Sequence, residues 1–263
     1  MLLRRLKLDW RYGLGEFLIV VAGVMMALAA DGWIHDRADR ALEARYLEDL
    51  ATDLASDTAE INYTISLAAQ RAELGHHVLQ AMAGDTVLEP VYLATAVERV
   101  MYFTYPAYAR STISDLMSTG NLKLLGDREL KRRLSEYYQA IDRMEQWSGN
   151  WRRIQMDLEY HLPELLDLAH REALIAPGAP IAGSSVLFGP LPWAPELAVT
   201  AQDAEQILAR LTADPEIRPR IEGMVRVQDN QYSFLRRLRV QADNTLQAVQ
   251  LLRDVSTHES RMR

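Results

Sequence analysis

The sequence predicts an all-α protein in which one N-terminal transmembrane helix continues into an antiparallel bundle of long helices. Three observations support this fold class. An uncharged run of 14 residues from Phe17 to Ala30 lies near the N-terminus. Apolar residues recur at helical spacing through most of the remaining 263-residue chain. No segment shows the sustained two-residue alternation, rich in β-branched residues, that indicates a strand.

The first element is the predicted membrane span, residues 12–34. Its uncharged run lies between Trp10 and Tyr12 on one side and Trp33 on the other. At about 1.5 Å of rise per residue, the distance from Trp10 to Trp33 is roughly 34 Å, close to the thickness of a bilayer core. Aromatic residues are enriched at both membrane interfaces. We therefore expect Trp10, Tyr12 and Trp33 to anchor the span in lipid.

One face of this span carries small residues. At about 100° per residue, Gly23, Ala27 and Ala30 lie within roughly 40° of Glu16. Small residues let another helix approach closely, so this face is predicted to dock on a neighbouring membrane helix. Two readings of Glu16 remain open. It either tolerates a water-accessible interface or makes a buried polar contact to a neighbouring helix or cofactor, and we favour the second.

A cleavable signal peptide is the main alternative to an anchor. The chain begins with basic residues, and Ala27-Leu28-Ala29 after the apolar run resembles a cleavage site. The apolar run is at the upper end of the length of a signal-peptide core, and Glu16 stands directly before it. These two features favour an uncleaved anchor.

Composition restricts the class of function. The net charge is −7, but residues 1–11 carry +3, which leaves −10 on the rest of the chain. Basic residues before the span predict a cytoplasmic tail at 1–11 and an exported domain at 35–263. An acidic exported domain lacks the clustered Lys and Arg that phosphate binding requires, which excludes nucleic acid as a partner. Cysteine is absent, so the chain has no disulfides and no thiolate chemistry.

Past Trp33 the helix is predicted to continue without interruption to Gly84-Asp85. Its apolar positions are spaced for a helix and include a run of sevens: Leu47, Leu50, Leu54, Ile61, Ile65, Ala68, Ala72 and Leu79. A second helix is predicted from Pro90 to Tyr105, ended by Pro106. A short helix follows within residues 107–126 and ends at Gly120-Asn121, before Asp127 caps the next long helix.

The remaining elements are predicted from proline and glycine positions. Pro163 breaks or restarts the long helix, and its pattern resumes to about Leu174. Residues 176–200 are predicted to form an ordered loop, which Phe188, Leu191 and Trp193 could pin to the bundle. A helix at 202–212, a break at Asp214-Pro215 and a last helix from Arg218 to Val255 complete the chain.

Two blocks of this sequence resemble a bacterial family of single-pass membrane proteins defined by a domain of unknown function. The first block is Tyr12-Gly-Leu-Gly-Glu16, the apolar span, its exit Asp31-Gly-Trp33 and Tyr46-Leu-Glu-Asp-Leu50. The second runs from Ser114 through Gly120-Asn-Leu-Lys-Leu-Leu125 to Glu136-Tyr-Tyr138. In this family a Gly-Glu pair opens the span and a helix bearing a Tyr pair follows a Ser-Gly stop. The family prefers asparagines where this chain has Asp31-Gly32. The resemblance covers roughly residues 4–60 and 103–140, and implies a bacterial inner-membrane location with a periplasmic helical domain.

No motif for catalysis or for a metal site is complete. Glu73 with His76, and Asp167 with His170, have the acid-x-x-His spacing of di-iron bundles, but such a site also needs inward carboxylates from other helices. Neither Glu73 nor His76 falls on the apolar stripe, and His76-His77 indicates a solvated surface. Gly183-Ser-Ser has no base nearby in sequence. We expect no catalytic residue, no metal and no cofactor.

Two classes of function remain. The first is a non-enzymatic accessory or scaffolding subunit of a larger membrane complex, whose partners are membrane lipid and other membrane-protein subunits. The second is a periplasmic ligand-sensing bundle that signals through a partner. The 11-residue cytoplasmic tail leaves no room for an output domain, which favours the first class.

Overall fold

The computed structural model describes residues 10–167 and 199–262, and side chains within 17–167 and 199–255. Over these residues the chain is helical and contains no strand, which confirms the predicted all-α class. The six helices are α1 (Trp10–Ala83), α2 (Pro90–Val100), α3 (Ser111–Ser118), α4 (Arg128–Leu165), α5 (Ala201–Ala213) and α6 (Ile217–Met262), with a 3-10 turn at Asn121–Lys123.

Helix α1 is a single uninterrupted helix of 74 residues, as predicted. It ends at Gly84, whose φ of +80° is a left-handed conformation that glycine adopts without steric cost. The amide of Asp85 there donates to the carbonyl of Gln80 at 3.0 Å. The predicted run of sevens lies in the core, since Leu47, Leu54, Ile61 and Ala68 are at most 3% exposed.

The second predicted helix is shorter than expected. It ends at Val100, so its predicted continuation to Tyr105 was wrong; residues 101–110 form a non-helical connector. Side chains of α6 explain this, because Gln228 donates to the carbonyl of Tyr102 at 2.7 Å and Gln231 to that of Thr104 at 2.6 Å. Both glutamines are fully buried. They provide the connector with polar partners inside the core, so the chain can leave the helix there.

Most starts and stops of the other helices follow the predicted signals, but α6 continues to Met262, seven residues beyond its predicted end at Val255. Gly120, with φ +71°, follows α3, and the carboxylate of Asp127 accepts from the amide of Leu130 at 2.7 Å at the start of α4. Pro163 lies in the last turn of α4, which ends two residues later. Thr200 and Asp203 form a capping box on α5. Residues 166–167 are not helical, so the predicted helix does not resume directly after Pro163. The rest of the predicted extension to Leu174 and nearly all of the predicted loop at 176–200, with Phe188, Leu191 and Trp193, lie outside the described residues.

If the direction of α1, from its N-terminal to its C-terminal end, is taken as up, the chain makes four passes that run up, down, up and down. The second pass, which we call the descending arm (residues 90–126), contacts α1 in reverse order: Tyr92 with His77, Thr104 with Arg71, and Asp115 with Tyr46. Helix α4 then ascends, as Tyr137 contacts Asp57. Helix α6 descends, from Asp229 beside His76 to Asn244 beside Arg133 of α4. The bundle is antiparallel, but its second pass consists of two short helices and a connector.

Two apolar clusters form the core. The cluster nearer the N-terminal end of α1 joins α1, α3, α4 and α6, and its members include Leu50, Leu54, Ile61, Leu116, Leu134, Ile141, Leu235 and Val249. The other joins the end of α1 to α2, the end of α4, α5 and the start of α6, with Val78, Leu93, Val97, Leu158, Leu211, Ile221 and Met224. Arg71, Thr104 and Gln228 lie on the stretches of chain that connect the two clusters.

Gly75 marks the closest approach of α1 to α2 and α6. A Cβ built there would overlap Val225 Cγ2 and come within 2.8 Å of Val100 Cγ2. We expect Gly75→Ala to lower the free energy of unfolding by about 1–3 kcal/mol, because overpacking forces side chains and backbone to shift. Urea unfolding of the full chain in detergent, followed by circular dichroism, measures this.

Gly149 provides the matched control. It is an exposed helical glycine in α4, and nothing lies within 4 Å of a Cβ added to it. Gly149→Ala should raise the free energy of unfolding by about 0.5–1 kcal/mol, because alanine loses less backbone entropy in a helix. A stabilising Gly75→Ala would show that the helices do not approach each other this closely.

Candidate functional site

The N-terminal part of α1 is the first candidate site. It is long and apolar enough to cross a membrane, with a mean hydropathy of 2.1 in its most apolar window and no part of that window buried. Every described side chain from Phe17 to Ala41 is exposed. Large apolar residues exposed around the whole circumference of a helix are typical of a segment that lies in lipid or packs against another protein.

The structure places the predicted docking residues as follows. Gly23 is surrounded by open space, since nothing lies within 4 Å of a Cβ added to it, and Ala27 and Ala30 are exposed. Trp33 is 61% exposed, and the guanidinium of Arg37 lies 5.8 Å from its ring centroid, within the range of a cation–π contact. Trp10, Tyr12 and Glu16 belong to α1, but their side chains lie outside the described residues.

The small-residue face points away from the rest of the protein. At about 100° per residue, Leu50, which is fully buried in the bundle, lies roughly 180° around α1 from Gly23. By the same estimate Ile34 and Ala41 lie within about 20° of Gly23. Both are exposed. We call the face formed by Gly23, Ala27, Ala30, Ile34 and Ala41 the outer stripe; none of the protein's own described helices covers it.

The second candidate site is where the two blocks of the family resemblance meet. The hydroxyl of Tyr46 donates to Asp115 Oδ2 at 2.6 Å, and Asn121 Nδ2 donates to the same hydroxyl oxygen at 3.0 Å. One turn earlier on α1, Glu43 Oε1 accepts from the amide of Gly126 at 3.0 Å. These contacts attach the C-terminal part of the descending arm, which includes Asp115, Asn121 and Gly126, to α1.

A polar cleft of about 370 Å³ opens beside these contacts, between α1 and α3. Carboxylates and hydroxyls line it: Tyr46, Asp49, Thr52, Asp53, Ser111, Thr112 and Asp115. Such a lining is suited to ammonium groups and hydrogen-bond donors. Among the described residues, no group of three His, Asp or Glu side chains could hold a metal ion.

Asp57 lies deeper in the same interface and is fully buried. Its Oδ1 accepts from the amide of Ala109 and its Oδ2 from the hydroxyl of Tyr137, both at 2.7 Å. Burial raises the pKa of Asp57 to about 6, although these two hydrogen bonds act in the opposite direction. Burial also raises the pKa of Tyr137, so its hydroxyl stays protonated and remains a donor.

Arg71 is a second buried polar contact to the descending arm. Its Nη1 donates to Thr104 Oγ1 at 2.9 Å, next to the carbonyl that Gln231 binds. Burial, and then the neighbouring charge of Arg99, lower the pKa of Arg71 to about 10. Arg71 therefore keeps its charge at neutral pH while fixing the connector against α1.

The histidines are not brought together. Glu73 and His76 are exposed, as predicted, and His76 lies 3.9 Å from Asp229. His77 is half-buried and shares a 2.6 Å hydrogen bond with the Tyr92 hydroxyl, so its interpretation as a solvated residue was wrong. Asp167 pairs with Arg210 at 3.0 Å. His170 and Gly183-Ser-Ser lie outside the described residues.

Asp57 was not among the residues predicted from the sequence. Its only signal there is that it interrupts the apolar pattern of α1. It stands in register with Leu50, Leu54 and Ile61, all fully buried, at the position where a fourth apolar residue would be expected. A carboxylate on the buried stripe of a helix requires a polar partner, and that was a readable signal. Gln228 and Gln231 precede Leu235 on α6 and give the same signal.

Comparison with known proteins adds no relative: no family model, curated protein or solved structure matches the chain.

The contact between Tyr46 and Asp115 can be tested by removing one oxygen atom. Tyr46→Phe should lower the free energy of unfolding by about 1–2 kcal/mol, because the hydroxyl of the buried Tyr46 links Asp115 and Asn121, and each of them loses a partner. Tyr160→Phe is the control, since Tyr160 is 80% exposed and the change should stay within about 0.5 kcal/mol. Equal stabilities for the two variants in urea unfolding would contradict the assigned contact.

Proposed function

We propose that this protein is a non-enzymatic, single-pass membrane protein that acts as an accessory or scaffolding subunit of a larger membrane-protein complex. Helix α1 docks on a neighbouring membrane helix through the outer stripe, and the helical domain presents a second surface outside the membrane. The observation that carries this proposal is the position of the stripe. It faces away from the protein's own helices along an apolar segment that nothing else in the described chain covers.

Packing physics supports a helix as the partner. In lipid, apolar side chains gain little by leaving the bilayer for a protein surface, so helices associate where small residues allow close backbone contact. The outer stripe has glycine and alanine at the required spacing. Its extension through Ile34 and Ala41 lets the contact continue beyond the apolar segment.

Location in a bacterial inner membrane, with the domain in the periplasm, is part of the proposal. The charge of +3 on residues 1–11 supports a cytoplasmic N-terminus. The long continuous α1 supports a domain that stands directly on the span, because no flexible linker separates the two.

The polar cleft favours one alternative, a periplasmic bundle that senses a small ligand and signals through a partner. Three carboxylates and several hydroxyls around about 370 Å³ are suited to a small cationic metabolite. A binding experiment distinguishes the ligand sensor from the accessory subunit. Saturable binding of a polyamine to the full chain, lost in Asp49→Asn, would favour the sensor.

The docking surface is tested by replacing two of its small side chains with large ones. Gly23→Leu/Ala27→Leu should hold a partner helix away from α1 and strongly reduce the amount of companion proteins copurified from native membranes. Glu16→Gln should weaken the association without abolishing it, because an interhelical polar contact in a membrane contributes only about 0.6–2 kcal/mol.

Val21→Leu/Met25→Leu is the matched control for the docking test. Both positions lie about 160° from Gly23 around the helix, and both are exposed. This variant should copurify with the same companions at wild-type yield. If the Gly23→Leu/Ala27→Leu protein does so too, the outer stripe is not the docking surface.

The proposed topology predicts how single cysteines are labelled in this cysteine-free chain. Val87, 97% exposed beyond the end of α1, reports on the domain, and Arg5 reports on the tail. A membrane-impermeant maleimide applied to spheroplasts should label Val87→Cys only, and should label both variants after lysis. Labelling of Arg5→Cys but not Val87→Cys in intact spheroplasts would reverse the topology.

A further inference from the structure

Asp57 and Arg71 both attach the connector to α1, and Asp57 does so at the end that leads into α3. Residues 103–110 are not helical, so their amides lack the carbonyl partners that a helix would provide. The amide of Ala109 donates to Asp57 Oδ1 at 2.7 Å, and the hydroxyl of Tyr138 reaches the carbonyl of the same residue at 3.3 Å. Asp57 is thus the acceptor that holds this part of the descending arm on α1.

The charged and titratable groups around Asp57 come from three elements. Asp53 lies one turn earlier on α1, Tyr108 and Arg110 belong to the connector, and Tyr137 and Tyr138 belong to α4. Arg110, the nearest cation named among them, is engaged elsewhere: it pairs with Asp142 at 2.8 Å and Glu145 at 3.0 Å. Among the described ion pairs none includes Asp57. Its ionised form is therefore a fully buried charge beside another carboxylate, without a directly paired cation.

We propose that Asp57 makes the attachment of the descending arm sensitive to pH, so that the arm is held more tightly in mild acid and opens more readily at neutral pH. Burial favours the neutral form of the Asp57 carboxyl, whereas opening of the arm exposes Asp57 to water, which favours the charged form. This inference concerns the helical domain alone and is independent of the outer stripe.

The direction follows from proton linkage. The pKa of Asp57 is about 6 with the arm attached, and 3.8 is the ordinary value for a solvated Asp. The attached state therefore binds the proton more strongly, and lowering the pH favours attachment. The equilibrium constant for opening rises mainly between about pH 4 and pH 6.5 and is nearly level above about pH 7. Between pH 4.5 and 7.5 these two pKa values give an increase of roughly 25-fold.

The amide of Ala109 reports this opening directly, because Asp57 is its acceptor. Hydrogen exchange of the full chain in detergent micelles, corrected for the intrinsic pH dependence of exchange, should show protection of residues 107–110 falling roughly 25-fold from pH 4.5 to 7.5. Amides in the middle of α4 should show a smaller change, because their acceptors are helix carbonyls.

Two variants separate the titration of Asp57 from that of its neighbours. Asp57→Asn keeps the size of the side chain and an acceptor for Ala109 but cannot ionise, so protection at 107–110 should lose its pH dependence. Asp53→Asn should keep a pH-dependent profile of somewhat smaller amplitude, because it removes a negative charge that helps to raise the pKa of Asp57. A wild-type profile that is flat, or an Asp57→Asn profile that matches the wild type, overturns the proposal.

A measurement on the wild type keeps the proposal testable if Asp57→Asn fails to fold. The carboxyl carbon of Asp57, followed by nuclear magnetic resonance, should titrate with a midpoint near pH 6. A midpoint below about pH 4.5, within the ordinary range for Asp, would overturn the inference without any variant.

Discussion

The attachment of the descending arm to α1 is the constraint on which the rest of the bundle depends. The connector is mostly half-buried and lies outside any helix, so those of its amides and carbonyls that face inward need partners from side chains. Asp57 supplies one on α1, and Gln228 and Gln231 supply others on α6. With these contacts the arm returns the chain to the level at which α4 begins. Without them, polar backbone groups of the connector would face an apolar core.

These polar contacts also define which residues of the helices lie side by side. A heptad stripe such as Leu47, Leu54 and Ile61 packs almost as well after a shift of one heptad, or about two turns, because the pattern repeats. Such a shift would move Asp57 away from Tyr137 and Arg71 away from Thr104, leaving buried polar groups without partners. The apolar core therefore provides most of the stabilisation, and the buried polar contacts favour one register over its neighbours.

The sequence predicted those helix boundaries that are determined by residues close to them in the chain. The length of α1, its end at Gly84, the stop at Gly120 and the cap at Asp127 all follow from side chains within a few residues of each boundary. The end of α2 could not be predicted in this way, because its cause is the pair of glutamines on α6, more than 120 residues later. In the candidate site the small residues of the outer stripe were predictable. Their orientation away from the bundle was not, because it depends on which side of α1 the bundle occupies.

The outer stripe and the attachment of the descending arm lie on opposite faces of one helix. Ala27 and Asp57 are 30 residues apart, or about 45 Å along α1, which no proline interrupts. A neighbouring helix on the outer stripe therefore leaves the face that bears Asp57 free for the arm. A rotation of α1 about its axis would, however, move both faces together, because a continuous helix resists twisting between them. Tight packing in the bundle fixes that rotation, so the domain determines the direction in which the small residues face. For the docking proposed above, the folded domain is thus a physical requirement, even though it lies outside the apolar segment that bears the outer stripe.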